Sequence, residues 1–238
     1  MPVTVEVVDE QADPRVIDEV YADFRVLDQT FSPFVPGSAV SLINRGELDP
    51  LEAGDLVRQA LDLCRLYEVA TGGYFSAWIG GRLDPSGLVK GWAIDRACTL
   101  LDGRGYRNFF VDAGGDIQTR GVKGDAGPWR VGLRHPVERD RVMHVILAEG
   151  LAIATSGSYE KGDHILDPHT GVAATDLVCL TVVGPDILSA DVYATAAFAM
   201  GHAGLAFVER MPGYEAFAVS RDLRGRGTAG FGARCAGG

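Results

Sequence analysis

The sequence predicts a single α+β domain, a mixed, largely antiparallel sheet with several helices packed on it. Strand-like and helix-like runs are intermingled along the chain, without the regular βαβ alternation that builds a parallel sheet. At 238 residues the chain exceeds an average domain of ~100–150 residues and falls short of two. Its composition, 47% hydrophobic and 23% charged, is that of a globular core and excludes disordered, collagen-like and low-complexity classes. The domain is expected over residues 1–220. The remainder, 221–238, is rich in Gly and Arg and reads as a flexible tail.

Taken in order, Val3-Thr4-Val5-Glu6-Val7 alternates as a strand does. Behind an Asp-Pro start, Val16, Val20, Phe24 and Leu27 recur at helical spacing, so residues 13–29 read as a helix. Residues 30–38 are a proline-punctuated loop. A second helix is expected from about 50 to 70, with Val57, Ala60, Leu61, Cys64 and Tyr67 on one face and Gly72-Gly73 ending it. A third is expected over 91–101. Residues 106–112 and 116–120 read as strands around a Gly114-Gly115 turn, with further strands at 129–133, 142–148, 151–155 and 177–183. A last helix runs from near Pro185 to Met200, packing Ile187, Leu188, Val192, Ala196 and Ala197.

The formal charge of −10 repels phosphate backbones, which argues against general nucleic-acid binding. No run approaches the ~20 apolar residues of a membrane span. Residues 1–15 are acidic and lack the basic start and apolar run of a signal peptide. Cys64, Cys98, Cys179 and Cys235 stand far apart with no CxxC pair, so reduced thiols in a cytoplasmic protein are expected.

Familiar motifs fail. The run from Ser86 to Gly91 lacks Walker spacing, Gly103-Arg104-Gly105 has no third glycine, and Thr155-Ser156-Gly157-Ser158 is not a nucleophile elbow. His164 and His169 are separated by Pro168 and cannot share a helix face as zinc ligands. What remains is a set of polar clusters. Lys90 opens a helix, where backbone N–H groups favour an anion. Residues 164–171, His-Ile-Leu-Asp-Pro-His-Thr-Gly, form a compact polar turn. Asp191 and Thr195, at i and i+4, emerge on one helix face as hard oxygen donors suited to Mg²⁺. Taken singly, each cluster also has a plain structural explanation: a solvated lysine, a surface histidine, an acid set against a helix dipole.

Taken together and in order, the clusters resemble the ApbE-type flavin transferases. The matching pieces are Phe31-Ser32-Pro33-Phe34 through Ser38 and Asn44; Thr71-Gly72-Gly73-Tyr74-Phe75; and Leu83-Asp84 through Lys90-Gly91-Trp92-Ala93-Ile94-Asp95. They continue with Asp112-Ala113-Gly114-Gly115-Asp116, Ala154-Thr155-Ser156-Gly157, His164 to Gly171, and Ala190-Asp191 through Ala194-Thr195-Ala196. The resemblance runs from about residue 3 to 205. It implies Mg²⁺-dependent transfer of FMN from FAD to a threonine or serine hydroxyl of an acceptor protein, with release of AMP. FAD pyrophosphatase activity giving FMN and AMP, or FAD binding without turnover, are the alternatives.

Carried over position by position, the resemblance makes His164 the general base. Asp191, Thr195 and the carbonyl of Gly87 become the Mg²⁺ ligands. Lys90 and Asp84 hold FAD, and Phe34, where relatives often have tyrosine, stacks on the flavin. Tyr74, Phe75 and Leu166 line the same pocket. Ser76 falls in the FAD site too, where the family often has aspartate; Ser86 and Ser158 likewise replace a common glycine and aspartate. The residue types suit the reaction: a pyrophosphate carries about two negative charges that must be neutralised before its phosphorus is attacked, and a histidine of pKa near ~6.5 accepts a proton at neutral pH.

Overall fold

A computed structural model describes the chain apart from residues 11, 139, 159–161, 163, 164 and 238. Its frame is a seven-stranded sheet, built from β1 (Val3–Val7), β4 (Phe109–Ala113), β5 (Asp116–Arg120), β8 (Ala152–Gly157), β9 (Leu177–Gly184), β10 (Glu215–Ser220) and β11 (Gly225–Gly227), adjacent in that order. Every pairing among the described residues is antiparallel. Two short hairpins complete the strands: β2 (Trp78–Ile79) with β3 (Arg82–Leu83), and β6 (Trp129–Arg134) with β7 (Val142–Ala148).

The helices are α1 (Pro14–Phe31), α2 (Ala39–Asn44), α3 (Asp55–Ala70), α4 (Ser86–Gly103), α5 (Ile187–Ala199) and α6 (Gly204–Val208). Asp13 caps α1, accepting the Arg15 N–H at 3.0 Å, with Pro14 in the first turn where its missing N–H costs nothing. Asp186 caps α5 through the Ser189 N–H at 2.8 Å, and Tyr214 donates its hydroxyl to the same carboxylate.

The sheet is buried on both faces, and strand alternation sorts its residues. Ala152, Ala154, Leu180 and Val182 face a core shared with α1, α4 and α5, whereas Ile153 and Val183 face Trp129, Leu133, Ile146 and Ala148 of the β6–β7 hairpin. Helices α4 and α5 are buried in turn between this first core and another formed by α1, α2 and α3. The alanines of α5 allow that close stacking.

The structure corrects the expected elements at several points. Helix α4 begins at Ser86, five residues before the expected start, because the Asp84 carboxylate accepts the Ser86 N–H at 3.0 Å and starts the turn there. Strand β4 begins at Phe109, not 106, since the N–H groups of Arg107 and Asn108 are turned to the Asp9 carboxylate. Helix α2 was not foreseen at all; Ser38 caps it, accepting from Ser41 N–H at 3.0 Å. The stretch 221–237 is no loose tail. It adds β11 to the sheet, sets Phe231 into the core beneath the β6–β7 hairpin at 3% exposure, and ties Ala236 N–H to the Val145 carbonyl at 2.8 Å. Among the described residues no helix is long and apolar enough to cross a membrane.

Candidate active site

Four segments distant in sequence meet where the head of α4 crosses α5 at the sheet. The β4–β5 hairpin turns on Gly114 and Gly115, both with positive φ, and so places Asp116 first on β5. The β5–β8 ladder is paired at Ile117 and Gln118; one position further, Asp116 Oδ1 accepts the Thr155 N–H at 2.9 Å in place of a backbone partner. Asp116 is 1% exposed, and its Oδ2 meets the ammonium of Lys90, reaching in from α4.

Asp191 and Thr195 project from α5 toward the same point. Asp191 Oδ2 accepts the Gly91 N–H at 2.9 Å, while Oδ1 lies 3.6 Å from Lys90 Nζ, beyond hydrogen-bond range. Thr195 Oγ1 is 3.3 Å from Ser156 Oγ on β8. A Cβ placed on Gly87 would stand 3.3 Å from the Phe75 ring and 3.5 and 3.6 Å from the Thr195 methyl and hydroxyl, so the first turn of α4 packs against the Thr195 side chain. Gly91 is required by the helix crossing: a Cβ there would meet the Ile187 carbonyl and Asp191 Cβ at 2.9 Å each.

Burial pushes the Asp191 carboxyl well above the ordinary carboxylate range, only partly offset by Lys90 and reinforced by Asp116. Burial opposes the charge on Lys90, but Asp191 and Asp116 outweigh it and raise its pKa. One ammonium set between two carboxylates leaves a buried negative charge. The carboxylate oxygen and the hydroxyl beside it are hard oxygens of the kind that suit Mg²⁺. Among the described residues no three His, Cys, Asp or Glu side chains converge as a metal cluster.

A second group adjoins the first through Phe75. Tyr74 stands edge-on to the His169 ring with centroids 4.5 Å apart, and His169 Nε2 lies 3.1 Å from the Gly72 carbonyl. The turn around His169 is organised by Asp167, which receives the His169 N–H at 2.9 Å and the Thr170 hydroxyl at 3.2 Å. Leu166, half-buried, bridges to Ala173 at its base. The Gly72–Phe75 segment and the 165–174 turn, 90 residues apart in sequence, thus form one wall.

The remaining expected residues are placed around this centre. Asp84 is exposed, one residue before the cap of α4, and accepts the Ser86 N–H. Ser76 forms a local turn, its Oγ accepting from Trp78 N–H at 3.2 Å and donating to the Trp78 carbonyl at 3.1 Å. Phe34 stands on the loop between α1 and α2, 91% exposed. His164, expected as the base, lies outside the described residues. Sequence reasoning gave no role to Asp116, Ser156 or His169, although each sat inside a quoted motif. The signal for Asp116 was an acid directly after a double-glycine hairpin turn. Asn44 proves to be scaffolding: it accepts the Leu83 N–H at 2.7 Å and donates to the Leu83 carbonyl at 2.8 Å, so fixing the strand that leads into α4.

Comparison with known proteins bears on the whole of this assembly. The family model described as "ApbE family" matches residues 79–218. The FAD:protein FMN transferase of Klebsiella pneumoniae is 31% identical over 153 residues, 60% of this chain and 44% of that protein. That of Treponema pallidum is 30% identical over 230 residues, 84% of this chain and 63% of that protein. The chain thus spans less than half the length of the first of these relatives. In fold, it superposes on the flavinyl transferase ApbE of Pseudomonas stutzeri with a TM-score of 0.84 at 23% identity, covering 99% of this chain and 94% of that one. The flavin transferase ApbE of Vibrio cholerae gives 0.83 at 20%, covering 98% and 95%. With the family match running from β2 to β10 and taking in Lys90, Asp116, Ser156, Asp191 and Thr195, the chain belongs to the ApbE family.

Proposed function

We propose that the protein transfers the FMN half of FAD to a threonine or serine hydroxyl of an acceptor protein, releasing AMP, with Mg²⁺ required. The observation that carries this reading is the convergence of Asp191, Thr195 and Gly87 at the head of α4, beside a buried carboxylate pair with a single ammonium. The names of the relatives, FAD:protein FMN transferases, support the reaction class.

In this reading Asp191 Oδ1, the Thr195 hydroxyl and the Gly87 carbonyl hold Mg²⁺. Bound there, the ion would supply positive charge to the pyrophosphate of FAD. Lys90 adds positive charge from beneath. Phe34, Tyr74, Phe75 and Leu166 line the flavin, and Ser76 and Asp84 complete its site. The acceptor oxygen bonds to the phosphorus of the FMN half as the bond from that phosphorus to the bridging oxygen breaks. AMP leaves with the electron pair, and His164 takes the acceptor's proton. General-base help of this kind is worth roughly 10²–10⁴-fold. The four unpaired cysteines support a reducing compartment such as the cytoplasm.

The test is incubation with FAD, Mg²⁺ and a candidate acceptor, following AMP by chromatography and covalent flavin on the acceptor by mass. His164→Ala should retain FAD binding and lose most transfer; Asp191→Ala should lose the response to Mg²⁺. AMP and FMN released with no acceptor present would make water the acceptor. FAD bound intact in every mixture, with AMP never released, would refute transfer.

A further inference from the structure

The Lys90 ammonium has a choice of two buried carboxylates, and the structure divides it unequally between them. It is in direct contact with Asp116 Oδ2, whereas Asp191 Oδ1 stays 3.6 Å away. The other oxygen of each acid is already engaged, Asp116 Oδ1 by the Thr155 N–H and Asp191 Oδ2 by the Gly91 N–H, both at 2.9 Å. Asp116 is thus fastened to the sheet at one end and to the lysine at the other. Among the described residues, Asp116 Oδ2 accepts no hydrogen bond of good geometry; the Lys90 ammonium is in contact with it, and the Asp191 carboxyl is its acidic neighbour.

We infer that Asp116 is a positioning residue that holds the Lys90 ammonium back from Asp191 and thereby keeps Asp191 Oδ1 open to the cation. The inference rests on the metal site proposed above and adds a restraint behind it. Without Asp116 the nearest anion for Lys90 is Asp191 Oδ1, and movement of under 1 Å would close an N–H···O contact there. The lysine would then occupy the oxygen that a divalent ion needs. A merely structural Asp116 would make no such connection, because its loss would act through the β5–β8 junction and be indifferent to the lysine.

The experiment is binding of Mn²⁺, a hard stand-in for Mg²⁺, to the full chain without FAD, read from the loss of the free-ion EPR signal and checked by displacement with Mg²⁺. Thermal unfolding of every variant is recorded alongside. Asp116→Asn should weaken Mn²⁺ binding by about 10-fold or more, the scale of lost outer-shell support at metal sites. Combining it with Lys90→Met removes the competing ammonium together with the acid that held it, and should bring affinity back to within about 3-fold of the parent, the non-additivity expected of directly coupled residues. If Asp116→Asn binds like the parent, or if the double variant is as weak as the single one or more than about 10-fold weaker than the parent, the inference is overturned. Asp191→Ala separates the two levels. A parent that binds no Mn²⁺, or an Asp191→Ala variant that binds as the parent does, sinks the metal site and this inference with it. Loss in Asp191→Ala with none in Asp116→Asn sinks the inference alone.

Discussion

Gly91 is the position where fold and site can be disturbed by one methyl group. In most helices Gly→Ala stabilises, by about 0.8–1 kcal/mol of helix propensity. Here the added Cβ would fall 2.9 Å from both the Ile187 carbonyl oxygen and Asp191 Cβ, and 3.1 Å from Asp191 Oδ2. The carbonyl belongs to the backbone of α5 and cannot rotate aside, so the helices must separate by several tenths of an ångström. Overpacking of this kind costs about 1–3 kcal/mol. Separation also lengthens the Gly91 N–H bond to Asp191, a hydrogen bond to an acid worth about 1.5–3 kcal/mol when fully lost. With the propensity gain set against these, Gly91→Ala should destabilise by about 2 kcal/mol. At about 2–4 °C per kcal/mol for a chain of this size, the melting temperature should fall by roughly 4–8 °C. The assay is thermal unfolding by circular dichroism, with flavin transfer measured well below the transition. Activity should fall as well, since Asp191 moves with its helix. A melting temperature equal to or above the parent's would refute the claim that α4 and α5 are in contact at this residue.

Three further changes probe the supports of the site. Ser156→Ala removes the hydroxyl partner of Thr195, a bond worth ~0.5–1.5 kcal/mol, so in the proposed reaction the Mg²⁺ concentration at half-maximal transfer should rise about 2–10-fold; an unchanged titration would show that Ser156 does not orient Thr195. Asn44→Ala strips the partners from the Leu83 N–H and carbonyl, at about 1–3 kcal/mol for each group left unsatisfied, and denaturant unfolding should register the loss of at least the lower figure. Phe231→Ala removes a buried ring stacked on Phe217 at 5.2 Å and edge-on to His144 at 5.4 Å; at about 3–5 kcal/mol it should lower the melting temperature by 6 °C or more. No change in that variant would return the last residues to the status of a tail.

Local patterns were legible where one short stretch decides the outcome. The Asp-Pro start of α1, the double glycine between β4 and β5, and the alternation of β7 each determine an element without help from elsewhere. The reading failed where distant residues decide. The expected helix began only at 91, and the roles of Gly87 and Gly91 lie in what stands against them: Phe75 and Thr195 at one, Ile187 and Asp191 at the other. The last residues looked disordered because Gly and Arg dominate them, yet Phe231 and the bonds from Ala236 N–H and Gly230 N–H anchor them to segments 15 and more residues away. Neither kind of contact leaves a periodic trace.

The same distinction runs through the site. The i, i+4 spacing on α5 and the place of Lys90 near a helix start draw notice, but taken singly each fits a plain structural role; only the resemblance of the ordered clusters gives them functional ones. What spacing could not reveal is that the lysine points inward. An exposed lysine in an acidic protein reads as the group that meets a phosphate; the structure gives Lys90 two buried acids instead. That changes the electrostatics of the pocket. Burial holds the Asp191 carboxyl well above the ordinary carboxylate range; in its ionised form, one ammonium facing Asp116 and Asp191 leaves the three side chains one negative charge, which repels an incoming pyrophosphate. A divalent ion at Asp191 reverses the sign to one positive charge, and the pocket then attracts the same group. In the reading proposed here, a divalent ion would favour the ionised form of Asp191 and turn the balance of these three side chains positive before any bond to phosphorus is considered.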